Sequence, residues 1–254
     1  MSSPVGDVPV RDAATVVLLR DAADGLDVWL LTRVTQMAFA AGMSVFPGGR
    51  VDVADADLPL RGADVPALAA RLRCSPELAH ALLGAALRET FEETGVLLTV
   101  PTRDLGERRA EVEGGSLPFG ALLAEHELVL DAAVLAPWSR WITPAGETRR
   151  YDTRFFVCVL PAEAQARDVT TESSAAGWVS VAAAIEEAQR GERKLLPPTM
   201  ATLTSLLPFR TAADVLTAAA QRSLEPVEPE LLVGEDGVVS VRLPDGLTVT
   251  IPQP

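Results

Sequence analysis

The stretch "RETFEETG", residues 88–95, sets three glutamates and an arginine between the apolar runs "LLGAAL" and "VLLTV". At helical spacing Glu89, Glu92 and Glu93 stand at i, i+3 and i+4. Their side chains then share one face, with Cβ atoms about 5–6 Å apart, while Phe91 points the opposite way. Carboxylates that close repel one another. A solvated helix would intersperse them with lysines, and none stands nearby. A hard divalent cation relieves the repulsion, because magnesium takes oxygen ligands at about 2.1 Å and combines a few carboxylates with water and substrate phosphate. The alternative reading is a solvated face on an acidic protein.

Such a face needs a helix that is started, stopped and placed. "SPELAHALLGAALRETFEET" offers Ser75 as N-cap and Pro76 at the first helical position, and Gly95 ends it. Upstream, "ATVVLLR" and "DVWLLTR" read as two strands joined at "DAADG", followed by the turn "FPGGR" and the loop-like "VDVADADLPLRGADVP". Downstream, "RYDTRFFVCVL" is a strand, and residues 118–127, "SVAAAIEEAQRG", "PPTMATLTSLL" and "TAADVLTAAAQ" are helices. "LEPVEPE" reads as a stiff connector, and "GVVSVRLPDGLTVTI" as a closing hairpin about Asp245 and Gly246. Strands interleaved with helices place the chain in the α/β or α+β class, and the absence of repeats or long linkers favours one domain over residues 1–254.

Composition narrows the ligand. The chain of 254 residues is 48% hydrophobic, enough for a sizeable core, and its net charge of -13 disfavours extended nucleic-acid binding. A small anionic ligand remains compatible, its charge neutralised locally by arginines or a carboxylate-held cation. No apolar run reaches membrane-span length and the first residues lack signal-peptide features, so a cytoplasmic location without membrane attachment is expected. Cys74 and Cys158 make neither a disulfide framework nor a Cys-x-x-Cys pair, so structural zinc is not expected. His80 and His126 sit in apolar helical surroundings and read as packing residues.

Taken together, "FPGGR" and "RETFEETGV" resemble the Nudix box: glycine, five residues, glutamate, seven residues, then Arg-Glu-aliphatic-any-Glu-Glu-any-Gly-aliphatic. Arg88, Glu89, Glu92, Glu93, Gly95 and Val96 match the second half. Gly49 takes the first position, Asp55 stands where the family has glutamate, and Thr90 where it has an aliphatic residue. Residues 56–87 form a 32-residue span where the box has seven. "LLTRVTQMAFAAGMSVFPGGRVDVAD" and "WSRWITPAGETRRYDTRFFVCVLP" are similar to the branch with an inserted box that includes peroxisomal coenzyme A diphosphatases, as is "ESSAAGWVSVAAAIEEAQRGERKLLPPTMATLTSL". The likeness spans roughly residues 14–220.

That resemblance implies a Nudix α/β/α sandwich with a mixed sheet, a helical insertion at about 56–87 and a C-terminal extension of helices and hairpin at about 197–254. It implies metal-dependent hydrolysis of a nucleoside diphosphate linked to another moiety, foremost coenzyme A or acyl-coenzyme A. The alternatives are an ADP-ribose or dinucleotide pyrophosphatase, or a non-catalytic Nudix-fold nucleotide-binding regulator, against which the intact glutamates argue. The implied cofactor is Mg2+ or Mn2+ on Glu89, Glu92 and Glu93 with the Gly49 carbonyl. Glu92, Glu93, Arg88 and Glu172 are the catalytic candidates, with Arg88 orienting a glutamate by a charge-assisted hydrogen bond. Glu172, six residues before Trp178, would be a further ligand or base. Arg149, Arg150 and Arg154 could clamp phosphates or lie on a solvated strand end, and Trp138 and Trp141 could stack on a base or pack in the core. The insertion is expected to lie on the surface, emerge beside the metal site and cover an apolar arm such as pantetheine. The expected partner is a small-molecule nucleoside diphosphate, and a homodimer is left open.

Overall fold

A computed structural model describes residues 8–33, 42–160, 166–167, 173–234, 239–244, 246 and 248–250. The two expected N-terminal strands form as β1 (Val10–Ala22) and β2 (Gly25–Arg33), followed by β3 (Ser44–Val45) and β4 (Gly48–Arg50). A 3-10 turn (Val53–Asp57) carries the chain into the inserted region, which contains β5 (Leu60–Arg61) and helix α1 (Val65–Leu72) and leads into the long helix α2 (Pro76–Thr94). Next come β6 (Thr99–Val100), α3 (Arg109–Glu113), α4 (Phe119–Glu125), β7 (Val129–Asp131), β8 (Leu135–Ile142) and β9 (Arg150–Val159). The chain continues through β10 (Ser173–Ser180), α5 (Val181–Gln189), α6 (Pro197–Leu206) and α7 (Ala212–Ala219). It closes with β11 (Pro226–Val227), β12 (Glu230–Val233), β13 (Val239–Arg242) and β14 (Thr248–Thr250).

The central sheet runs β10-β2-β1-β9-β8-β11, with β3 on β2 and β4 on β1. It is mixed: β1 pairs antiparallel with β2 and parallel with β9. Alternation along the strands explains the layers, because successive side chains point to opposite faces. Val16, Leu18, Leu31, Phe156 and Cys158 pack on one face with Leu82, Leu83, Leu87 and Phe91 of α2. Val17, Leu19, Leu30, Phe155 and Val157 pack on the other with Val181, Leu203 and Val215 of α5, α6 and α7. This is the expected α/β/α sandwich. Among the described residues no helix is long and apolar enough to cross a membrane.

Three expectations change. The insertion does not ride on the surface: its second half is the N-terminal half of α2, where Leu82 and Ala85 are fully buried. Gly84 there meets the backbone of the 3-10 turn, and a Cβ on it would stand 2.6 Å from the Asp55 carbonyl oxygen. The "LEPVEPE" connector contributes an edge strand, β11, parallel to β8. The segment read as a loop after "FPGGR" contains the 3-10 turn and β5. The closing hairpin pairs β13 with β14, adding β12 to make a three-stranded sheet, while Asp245 at its turn lies outside the described residues.

Candidate active site

Helix α2 is fixed at both ends. The Ser75 side chain accepts a hydrogen bond from the Leu78 N–H at 3.2 Å, Pro76 follows, and Gly95 ends the helix at φ 73 with its N–H donating to the Phe91 carbonyl. Its last two turns carry the carboxylates, and Phe91 on the far side stacks on Phe119 at 5.6 Å. Thr90, unexpected at an aliphatic position, is fully buried and donates to the Ala86 carbonyl at 2.8 Å, so its hydroxyl is satisfied within the helix.

Strand β4 brings the glycine turn against this helix. It pairs antiparallel with β1, Gly48 opposite Thr15 and Gly49 opposite Ala14. A Cβ on Gly48 would stand 2.5 Å from the Ala14 carbonyl oxygen, and one on Gly49 would collide with the Glu89 carboxyl. Two glycines are therefore what lets the glutamate face close onto the sheet edge. The Gly48 N–H donates to Glu93 Oε2 at 2.8 Å.

Arg88 organises the remaining acids. Its Nε and Nη2 donate to the two carboxylate oxygens of Asp55 at 2.8 and 2.9 Å, a bidentate pair in which Asp55 is only 1% exposed. Asp55 also accepts from the Asp52 N–H at 2.8 Å. The shorter aspartate thus serves at the box position held by glutamate, because the 3-10 turn carries it to the guanidinium. From Nη1, Arg88 reaches Glu89 at 2.8 Å and Glu92 at 3.3 Å, and Nη2 donates to the Arg50 carbonyl. Arg88 thus donates to two glutamates, with Asp55 as its bidentate partner.

The acids outnumber their counter-charge. Burial, with repulsion from Glu92 and Asp55 and against the attraction of Arg88, pushes the Glu89 carboxyl up to about 7. Burial likewise raises Glu92, opposed by Arg88. Burial alone would lower the Arg88 guanidinium, but the Asp55 hydrogen bond and the surrounding carboxylates hold it above its ordinary value. As they stand, no three His, Cys, Asp or Glu side chains among the described residues converge to hold a metal ion. The donor set nonetheless fits one: all-oxygen, buried, over-negative, and in its neutral forms costly to ionise without a cation.

The glutamates open into a cleft of about 710 Å³. Glu89, Glu92 and Glu93 line it on one side, and Arg149, Tyr151 and Thr153 on another, with Leu196, Pro198 and Thr199 from the start of α6 also contributing. No residue from 53 to 87 lines it, so the insertion supports the acids from behind and does not cover the cleft. Of the three arginines expected to clamp phosphate, Arg150 donates to Glu228 at 2.6 Å, and Arg154 is buried against Asp12 and Asp152. Only Arg149 faces the cleft. Trp138 is fully buried, with Nε1 donating to Ser205 and Arg222 stacked over its ring at 3.8 Å, and Trp141 is 7% exposed, so both are core residues. His80 bonds the Leu58 carbonyl at 2.9 Å, and neither histidine lines the cleft. Glu172 lies outside the described residues.

Among the lining residues that sequence reasoning missed are Tyr151 and Glu113. Tyr151 was legible: in a strand, residues 151, 153 and 155 share one face and 150, 152 and 154 the other. Glu113 carried no such signal. It is set by Arg109, which donates at 2.7 Å to both the Glu113 carboxylate and the Glu92 carbonyl at the end of α2.

Known proteins resemble this chain in sequence and fold. Residues 73–206 match the model of the NUDT19 Nudix domain. The acyl-coenzyme A diphosphatase NUDT19 of Gallus gallus is 28% identical over 91% of this chain and 78% of its own length, and that of Homo sapiens 29% over 85% and 71%. The crystal structure of a Nudix hydrolase from Alicyclobacillus acidocaldarius is 30% identical, with a TM-score of 0.70 over 83% of this chain and 96% of that one. With the family model matched over more than half of its length, the chain belongs to the Nudix hydrolases, in the family of the NUDT19 Nudix domain.

Proposed function

We propose that this chain is a divalent-metal-dependent diphosphatase that cleaves coenzyme A or its acyl derivatives at the P–O–P bond, giving 3',5'-ADP and a 4'-phosphopantetheine product. The observation that supports this most is the buried carboxylate set of Glu89, Glu92 and Glu93, held against Gly48 and Gly49 at a cleft, in a chain whose relatives bear the name acyl-coenzyme A diphosphatase.

In this reading Glu89, Glu92 and Glu93 hold magnesium or manganese, with the Gly49 carbonyl as a further oxygen. A bound divalent ion supplies charge neutralisation for phosphate oxygens that become more anionic as water attacks. Arg88 and Asp55 act behind this set, keeping Glu89 and Glu92 aimed at the cleft, while the Gly48 N–H fixes Glu93. Glu92 has the longest contacts with Arg88, 3.3 and 3.4 Å, and is the carboxylate freest to turn and accept a proton from attacking water. Water oxygen bonds to one phosphorus, the bridging oxygen leaves with the other phosphate, and two monoesters result.

The test is a substrate panel with magnesium, with manganese and with chelator, the products resolved by mass. Coenzyme A or an acyl-coenzyme A should yield the two monoesters only with metal. ADP-ribose or a dinucleotide cleaved far faster than any coenzyme A species would replace the substrate class. No turnover on any member would favour a binding module.

A further inference from the structure

Arginines elsewhere in the cleft are already committed. Arg88 is neutralised by Asp55, Glu89 and Glu92, and Arg50 pairs with Asp52 at 2.8 Å. Arg149 is exposed, lines the cleft, and has no carboxylate partner among the described residues. It therefore contributes an uncompensated positive charge to a cavity whose other wall is strongly acidic.

Its position relative to the acids follows from strand register. Gly49 and Arg50 lie opposite Ala14 and Ala13 of β1, which in turn align with Arg154 and Thr153 of β9. Thr153 therefore marks the level of the glutamate face. Tyr151 stands two residues farther along the same face, about 7 Å by strand rise, and Arg149, just before β9 begins, lines the cleft beyond it. The cleft thus runs from the carboxylates, past a hydroxyl and the chain's single tyrosine, to a free guanidinium. That order matches a ligand with a diphosphate, a sugar beside it and a second, separate anion beyond.

We propose that Arg149 is a specificity residue that binds a phosphate monoester on the ribose of the substrate, with Tyr151 against the nucleoside beside it. Coenzyme A carries such a group at its 3' position, and ADP-ribose does not. The inference rests on the coenzyme A reading and assigns which end of the molecule lies along β9. A guanidinium paired with a phosphate dianion in a partly enclosed cleft favours the phosphorylated substrate by about tenfold or more.

The measurement compares kcat/KM for coenzyme A and for 3'-dephospho-coenzyme A, in the wild type and in Arg149→Ala and Arg149→Lys. Arg149 is exposed and unpaired, so a thermal melt should show both variants folded. In the wild type the ratio should favour coenzyme A, in Arg149→Ala it should fall at least tenfold, mainly through KM, and Arg149→Lys should recover part of it. A wild-type ratio near one, or a ratio that Arg149→Ala leaves within about twofold, overturns the inference while the diphosphatase reading stands. If the wild type cleaves neither compound with metal present, the diphosphatase reading itself fails and this assignment with it.

Discussion

The two halves of α2 are both largely covered by protein and chemically opposite. From Ala79 to Leu87 the helix presents Leu82, Leu83, Ala85, Ala86 and Leu87, each at most 1% exposed, against the sheet and α1. From Arg88 to Thr94 it presents one arginine and three glutamates, with Glu93 8% exposed and Glu89 and Glu92 little more open. Burying each leucine contributes on the order of 1.5–3 kcal/mol to folding. Burying the carboxylates opposes folding, as the raised Glu89 and Glu92 show. A residue span that looked like an insertion into the box therefore has a function in stability: it lengthens the helix into the core and anchors a segment that could not hold itself in place. The 3-10 turn that precedes the insertion adds the other half of that support by delivering Asp55 to Arg88.

The sharpest way to break this comparison is to remove the link between the halves. Arg88→Met leaves Asp55 buried without its counter-charge and should cost about 3–5 kcal/mol, while Arg88→Met with Asp55→Leu should recover much of the loss. Denaturant melts of both variants decide it, and a single-variant loss below about 1 kcal/mol would mean the pair is dispensable.

Next in size is a crossed pair of substitutions. Leu83→Ala in the apolar half should lose about 2–5 kcal/mol of stability, with the folded fraction retaining its specific activity. Glu93→Gln in the acidic half should do the reverse, lowering metal-dependent turnover about 100-fold or more without lowering the melting temperature. Near-normal activity in both Glu93→Gln and Glu89→Gln would remove the metal assignment.

The smallest effect is a pH dependence. Glu89 has a folded value of about 7 against an ordinary 4.5. Stability from its protonated form is full below about 4.5 and is lost as pH rises through 7, because the unfolded chain releases that proton first. Metal-free protein should therefore melt lower at pH 8 than at pH 5.5 by an amount that Glu89→Gln reduces, on the order of 1–2 kcal/mol or a few degrees. An unchanged pH slope in Glu89→Gln would show that the Glu89 carboxyl is not the group responsible.

Local rules carried much of the sequence reading. Ser75, Pro76 and Gly95 bounded α2 through capping chemistry that depends only on neighbours, and the i, i+3, i+4 spacing put the glutamates on one face whatever surrounds them. Apolar runs in "ATVVLLR" and "RYDTRFFVCVL" likewise foretold strands, while helices on both faces of the sheet were implied by the family resemblance. Tertiary structure alone decided the partners. Whether Arg88 would meet Asp55 across 33 residues, whether residues 76–87 would lie in the core, and which of Arg149, Arg150 and Arg154 would face the cleft all depend on how distant segments pack. Sequence spacing fixes the direction of a side chain relative to its own helix or strand. What that side chain meets, and so whether a charge is paired, strained or free for a ligand, is set by the burial and electrostatics that other parts of the chain impose.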